Sequence, residues 1–66
     1  MSYINVYIEH NSLALNTTFT YACDQEVEVG CRVRVPFGAQ DLIGFVESVD
    51  VLPKVKNIKS VLEVLD

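Results

Sequence analysis

The chain has 66 residues, of which 50% are hydrophobic, and a formal net charge of −4. This length allows one small domain that buries about 60% of its unfolded surface, and the apolar fraction excludes an intrinsically disordered chain. The acidic balance argues against a protein that coats long stretches of phosphate backbone. No apolar run approaches a membrane span and no secretory leader is visible, so we expect a cytoplasmic protein with no membrane partner.

The first predicted strand covers residues 3–9. Its apolar residues recur at every second position, which places Ile4, Val6 and Ile8 on one face of a half-buried strand. The polar residues at 10–12 are turn formers, and His10 is therefore expected to be an exposed, ordinary imidazole.

A second short strand is predicted over residues 16–21, which are mostly threonine and aromatic residues that favour a pleated backbone. Alternation then puts Phe19 and Tyr21 on one face and Thr20 on the other.

Residues 30–38 predict the central strand of the chain. Gly30 opens it, and Pro36 closes it because proline has no N–H to give to a β-ladder. Gly38 predicts a turn or a place where another molecule approaches bare backbone. Alternation within this strand places Val33 and Val35 on the core face. It places Arg32 and Arg34 on the polar face.

The C-terminal half predicts one long strand and an ambiguous tail. The strand covers residues 42–51, with a bulge or bend at Gly44, and ends at Pro53. A basic turn follows at 54–57, and residues 58–65 fit either a strand or a short helix, with their branched side chains favouring a strand.

Short strands separated by turn signals predict an all-β domain over residues 1–66. We expect a small barrel of five or six strands or a strongly twisted antiparallel sheet, with one short helix as an option for the tail. Because the chain ends on a still-apolar pattern, we expect it to be a domain of a longer protein.

The residue types that carry catalysis are sparse. Cys23 and Cys31 are expected to be reduced thiols, and with His10 they lack the paired spacing of a structural zinc site. No nucleophile elbow, phosphate-binding loop or spaced acid pair is present. We therefore expect that this chain is not an enzyme and carries no metal or cofactor.

A binding surface is the remaining possibility. Aromatic rings and cations of the kind that hold single-stranded nucleic acid are supplied by Phe19, Tyr21, Phe37, Arg32, Arg34 and Lys59. Each has a plain structural alternative, since aromatic side chains build the core of small domains and strand arginines pair with carboxylates across the sheet. The pattern alone leaves two functions open. The chain is either a nucleic-acid-binding module or a protein-interaction adaptor that docks through the Tyr3–Tyr7 face.

Several segments resemble the N-terminal domain of the PriA (primosomal protein N′) family of replication-restart helicases. They are Phe19-Thr20-Tyr21, the GxRVxVPFG block at 30–38, the IGxV block at 43–46, and residues 58–59 and 61–66. They follow in order with similar spacing over nearly the whole chain. ATP, magnesium and zinc are expected only in the full-length family protein, whose helicase domains are absent from this chain.

The resemblance implies a β-rich module that captures the free 3′ end of a nascent leading strand at a stalled fork or D-loop, with little sequence preference. Its partners would be this DNA, the remaining helicase domains and other primosome proteins. The site residues it implies are Phe19, Thr20, Tyr21, Gly38 and Lys59, and Arg32 and Arg34 would make secondary phosphate contacts.

One site residue departs from the family pattern. Thr20 stands where familiar members have an aspartate, and a neutral hydroxyl binds a 3′-hydroxyl less strongly than a carboxylate does. We expect that selectivity for a free 3′-hydroxyl persists but is weaker, unless Asp24 or a main-chain carbonyl substitutes.

Overall fold

The computed structural model describes residues 2–8, 18–54 and 56–66. Over these residues the chain forms five strands, β1 (Ser2–Ile8), β2 (Thr18–Cys23), β3 (Arg32–Phe37), β4 (Gln40–Ser48) and β5 (Glu63–Val64). This part of the chain contains no helix, and hence none that could cross a membrane, and the all-β prediction is confirmed. The predicted break at 10–12 with His10, and the predicted strand residues 16–17, lie outside the described residues.

The strands form one antiparallel sheet in the order β2-β1-β4-β3-β5. The sheet is not closed into a barrel, so of the two predicted architectures the twisted sheet is the correct one. The segment before β5 nevertheless returns to β2 through an isolated parallel bridge between Ala22 and Ser60. The Ala22 N–H donates to the Lys59 carbonyl at 2.9 Å, and the Val61 N–H donates to the Ala22 carbonyl at 2.8 Å. The tail is thereby held beside the edge strand β2.

The core lies on one face of the sheet. The register pairs Val6 with Phe19 on β2 and with Val46 on β4, so these side chains share that face. The largest fully buried side chains are those of Ile4, Val6, Val33, Val35 and Val46. The predicted inward faces of the first and central strands are therefore confirmed, as is the opposite orientation of Thr20, which pairs with Asn5 on the other face.

Gly44 lies in β4, but the β-bulge of this strand is not at Gly44, where we predicted it. The register between β1 and β4 shifts between Asn5 and Val6, whose partners are Ser48 and Val46, so the extra residue is Glu47. Gly44 instead permits close packing, because an added Cβ would lie 2.5 Å from Val6 Cγ1 and 2.8 Å from the Tyr7 carbonyl oxygen. The absence of a side chain at this position lets β1 and β4 approach each other.

The C-terminal segment is more irregular than predicted. Of residues 58–65, only Glu63 and Val64 form a strand, and they pair with Arg34 and Val33 of β3. Further bonds from the Leu62 N–H to the Arg34 carbonyl and from the Leu65 N–H to the Arg32 carbonyl hold the tail along β3. The preference for a strand over a helix, based on the branched residues, is therefore correct. The strand is short because the tail forms backbone hydrogen bonds with β2 as well as with β3.

Candidate functional site

A cleft of about 350 Å³, cleft 1, opens between β2, the β3–β4 turn and the segment just before Ser60. Three parts of the chain contribute its walls: Thr18, Phe19, Thr20 and Tyr21 from β2, Pro36, Phe37 and Gly38 from the end of β3 and its turn, and Asn57, Ile58 and Lys59 from the tail. All five residues of the implied 3′-end site therefore line one concavity. Whether they bind DNA stays a prediction.

Two phenylalanines form one wall of cleft 1. The ring centroids of Phe19 and Phe37 are 5.1 Å apart and the ring planes meet at 78°, an edge-to-face pair. Both side chains are partly buried and pack against the core cluster, so their orientation is set by the core. This geometry is favourable because the positive edge of one ring meets the negative face of the other. The pair presents a rigid apolar surface to the cleft.

Tyr21 connects the cleft to the core. Its side chain is 5% exposed, and its hydroxyl donates a hydrogen bond of 2.9 Å to the Pro36 carbonyl oxygen. Burial raises the pKa of the Tyr21 phenol, because the charged phenolate is disfavoured away from water. Pro36 has no N–H, but its carbonyl oxygen can still accept a hydrogen bond. The bond from Tyr21 to this oxygen joins β2 to β3.

Gly38 supplies main chain without a side chain. It is the first residue of the two-residue connection between Phe37 and Gln40, and its φ of 62° is the left-handed conformation that type II′ hairpin turns require there. An added Cβ would meet nothing within 4 Å. A ligand in cleft 1 can therefore approach the backbone at this turn.

The Thr20 hydroxyl is already engaged. It donates a hydrogen bond of 2.8 Å to Oδ1 of Asn5, its register partner on β1. A hydroxyl has one proton and two acceptor lone pairs, so Thr20 can still accept a hydrogen bond from a ligand hydroxyl. Asp24 lines a different cleft and does not occupy the place of the family carboxylate.

Lys59 is the cation of cleft 1. Its carbonyl oxygen is fixed by the Ala22 N–H, and its side chain is exposed. Across residues 2–8, 18–54 and 56–66, no carboxylate forms an ion pair with its ammonium group. A backbone bond thus fixes the main chain of Lys59 at the wall of the cleft, and none of the described carboxylates neutralises its charge.

Arg32 and Arg34 do not line cleft 1. The Arg32 guanidinium pairs with the Asp66 carboxylate at 2.9 Å, and Arg34 pairs with Asp41 at 2.9 Å and with Glu63 at 3.2 Å. Hydrogen bonds from the Arg32 side chain and N–H hold the pKa of Asp66 below its usual value. Both arginines thus follow the structural alternative of cross-strand pairing, and their secondary phosphate contacts stay an untested prediction.

Cleft 1 contains residues that the implied site omits. Phe37 and Pro36 belong to the Pro-Phe-Gly block, which was visible in the sequence, and the position of Phe37 next to Gly38 was the available signal. Ile58 belongs to the 58–59 segment that resembles the family, whereas Asn57 carries no comparable signal. They reach the cleft only because the residues that follow them bond to β2.

Comparison with known proteins agrees with this geometry. The sequence model of the PriA 3′ DNA-binding domain (3′BD) matches residues 5–66. Comparison with curated proteins gives no match. The matched region contains every residue of cleft 1 and nearly the whole sheet. The chain therefore belongs to the PriA 3′ DNA-binding domain family, a DNA-binding and not a catalytic module of the primosome that acts in replication restart.

Proposed function

We propose that this domain captures the 3′-terminal nucleotide of a nascent leading strand at a stalled fork or D-loop, as part of a PriA-type replication-restart helicase. The observation that carries the proposal is the convergence on cleft 1 of aromatic side chains, bare main chain and a lysine that has no ion pair among the described residues. No cofactor is needed for this step, and the site of action is the bacterial cytoplasm.

The terminal base packs against the wall made by Phe19 and Phe37. Stacking of a base on an aromatic side chain contributes about 1–3 kcal/mol and tolerates any base, because every base has a π-face. Since the two rings are held by the core and by each other, little conformational entropy is lost on binding. Binding with little sequence preference follows.

Recognition of the end itself requires polar groups at the bottom of the site. The Thr20 oxygen and the main chain at Gly38 are the groups that accept from a 3′-hydroxyl or approach the base edge. Lys59 neutralises the phosphate on the 5′ side of the terminal nucleotide. One concave site that grips a strand terminus needs few cations, which reconciles DNA binding with a net charge of −4.

The experiment compares fluorescence anisotropy of labelled oligonucleotides that end in a 3′-hydroxyl or a 3′-phosphate. The hydroxyl end should bind more tightly, because a terminal phosphate adds bulk and charge where cleft 1 receives a hydroxyl. Chelation of divalent metal should leave the affinity unchanged. Equal affinity for the two ends would count against the proposal.

A matched pair of variants ties the binding to cleft 1. Phe19→Leu keeps an apolar side chain on the core face but removes the ring, and should weaken binding. Phe45→Leu makes the same change on the opposite face of the sheet, where the Phe45 side chain is 41% exposed, and should have no effect on DNA affinity.

A second function, docking of this domain onto the remaining helicase domains, is favoured by a separate observation. On the outer face of the sheet, Ile43 and Phe45 are 45% and 41% exposed, and Phe45 is the register partner of Tyr7 on β1. The Phe45→Leu variant tests this function as well, because in the full-length protein it should weaken association between domains without changing DNA affinity.

A further inference from the structure

A second cleft, cleft 2, adjoins cleft 1. It has a volume of about 440 Å³ and is lined by Tyr3, Ala22, Pro53, Lys56, Asn57, Ile58 and Ser60. Asn57 and Ile58 line both clefts, so the two concavities share one wall. A chain molecule whose end lies in cleft 1 would meet cleft 2 on the other side of this shared wall.

The shared wall has a special backbone conformation. Asn57 has a φ of 61°, the left-handed region, which asparagine tolerates better than most residues. The tail therefore turns between the two clefts, with Lys56 lining cleft 2 and Lys59 lining cleft 1. Because three residues span at most about 11 Å, the two lysines are close enough to serve neighbouring phosphates of one strand.

The charges of the domain favour this path. Of its five basic residues, Arg32 and Arg34 are neutralised by carboxylates, whereas Lys54, Lys56 and Lys59 form no ion pair within the described parts of the chain. The unneutralised positive charge thus lies on residues 54–59, where Lys56 and Lys59 border the two clefts. Phosphates are attracted to such a segment at a distance and held by it on contact.

A third cleft is less suitable for a phosphate chain. It shares Ser60 with cleft 2 but no lining residue with cleft 1, and its described lining includes the carboxylates of Asp24 and Glu63 and no basic side chain. Repulsion between these carboxylates and a phosphate disfavours DNA there. Cleft 2, by contrast, shares a wall with cleft 1 and offers the cation of Lys56.

We propose that cleft 2 is the subsite for the nucleotide that precedes the 3′-terminal one, with Lys56 at its 5′ phosphate and the Tyr3 ring beside its base. This inference rests on the proposed function, because it takes the 3′-terminal nucleotide to lie in cleft 1. It assigns a ligand class, a second nucleotide of the same strand, to a cleft formed by the start of β1 and the tail.

The test compares two thymidine dinucleotides, both with a free 3′-hydroxyl, one with a 5′-hydroxyl and one with a 5′-phosphate. Binding is measured from amide chemical-shift titrations of the intact chain. The 5′-phosphate should raise the affinity about two- to fivefold at low salt. The Lys56→Ala variant should abolish this gain.

Lys54→Ala is the matched control. Lys54 is an exposed lysine two positions before Lys56 and lines neither cleft. This variant should retain the gain from the 5′-phosphate. Equal loss of the gain in both variants would show a diffuse charge effect and overturn the second subsite.

The two proposals fail in different ways. If the 5′-hydroxyl dinucleotide shifts the amides of cleft 1 but the 5′-phosphate adds no affinity, the second subsite is wrong and 3′-end binding stands. If neither dinucleotide shifts the amides of Phe19 and Gly38, both proposals are overturned. Shifts at Tyr3 with both dinucleotides, and a shift at Lys56 that grows with the 5′-phosphate, would support the second subsite directly.

Discussion

The Tyr21 hydroxyl donates a hydrogen bond of 2.9 Å to the Pro36 carbonyl oxygen, although two other strands separate β2 from β3 in the sheet. Such a bond requires a sheet that is strongly curved, so that its first and fourth strands meet on the concave side. The same curvature brings Phe19 against Phe37. The two rings in contact, Phe19 and Phe37, both line cleft 1.

Replacing Tyr21 by phenylalanine removes this bond and leaves the Pro36 carbonyl without the donor. We expect the free energy of unfolding to fall by about 0.5–1.5 kcal/mol, the usual contribution of one such bond. Urea denaturation measures the change. Tyr3→Phe is the control, because no hydrogen bond of the Tyr3 hydroxyl occurs in the described residues. Equal stability of Tyr21→Phe and the parent chain would refute the role of the bond.

Two glycine substitutions should have different consequences. Gly44→Ala places a Cβ 2.5 Å from Val6 Cγ1 and should destabilise the fold by about 1–3 kcal/mol, with unchanged DNA affinity at temperatures where it is folded. Gly38→Ala meets open space but forces alanine to a φ of 62°, at a cost of about 1–2 kcal/mol, and narrows the approach to cleft 1. Thermal unfolding measures the loss of stability, and fluorescence anisotropy measures the DNA affinity of each variant. An equal reduction of DNA affinity in both variants would contradict the prediction.

Lys59→Ala should weaken binding of single-stranded DNA by about fivefold at low salt, uniformly across sequences, because the lysine contacts a phosphate and not a base. The slope of log affinity against log salt should become shallower by about 1. A salt titration with two oligonucleotides of different sequence checks both statements. A sequence-dependent loss would place Lys59 at a base edge instead.

Thr20→Asp should increase the preference for a 3′-hydroxyl over a 3′-phosphate. A carboxylate accepts a stronger, charge-assisted bond, which adds about 1 kcal/mol, or roughly fivefold, and it repels a terminal phosphate. Asn5 can present its amide N–H to the new carboxylate in place of its Oδ1. The ratio of the two dissociation constants is the measurement. An unchanged ratio would mean that the side chain at this position does not contact the strand end.

The ion pair between Arg32 and Asp66 should make stability depend on acid pH. Because the pKa of Asp66 is lower in the folded chain than its usual 3.8, the carboxylate stabilises the fold above that usual value, and this contribution is lost as the pH falls through the folded pKa. Asp66→Asn should therefore have a lower melting temperature at neutral pH, with the difference vanishing once the pH lies below the folded pKa of Asp66. Glu47→Gln, at an exposed carboxylate without an ion pair in the described residues, should show no such trend.

The cleft-forming residues show where sequence reasoning stops. The Phe-Thr-Tyr segment and the Pro-Phe-Gly block could be identified because family resemblance and turn chemistry are local properties. For Arg34, the sequence could not decide between an ion pair with Glu63 and Asp41 and a contact with a DNA phosphate. Glu63 lies 29 positions away along the chain, so no local pattern links it to Arg34. Its partner is decided by the pairing of β5 with β3.

By itself, the sequence determined the all-β class, the inward faces of the first and central strands and the family, because side chains in any strand alternate with a period of two and motifs are read residue by residue. Only the tertiary structure decided that the sheet remains open, that the tail binds β2 and so brings Lys59 to the cleft lined by Phe19, and that both arginines are paired. These outcomes depend on strand order and curvature, which arise from contacts between distant residues and leave no local pattern along the chain.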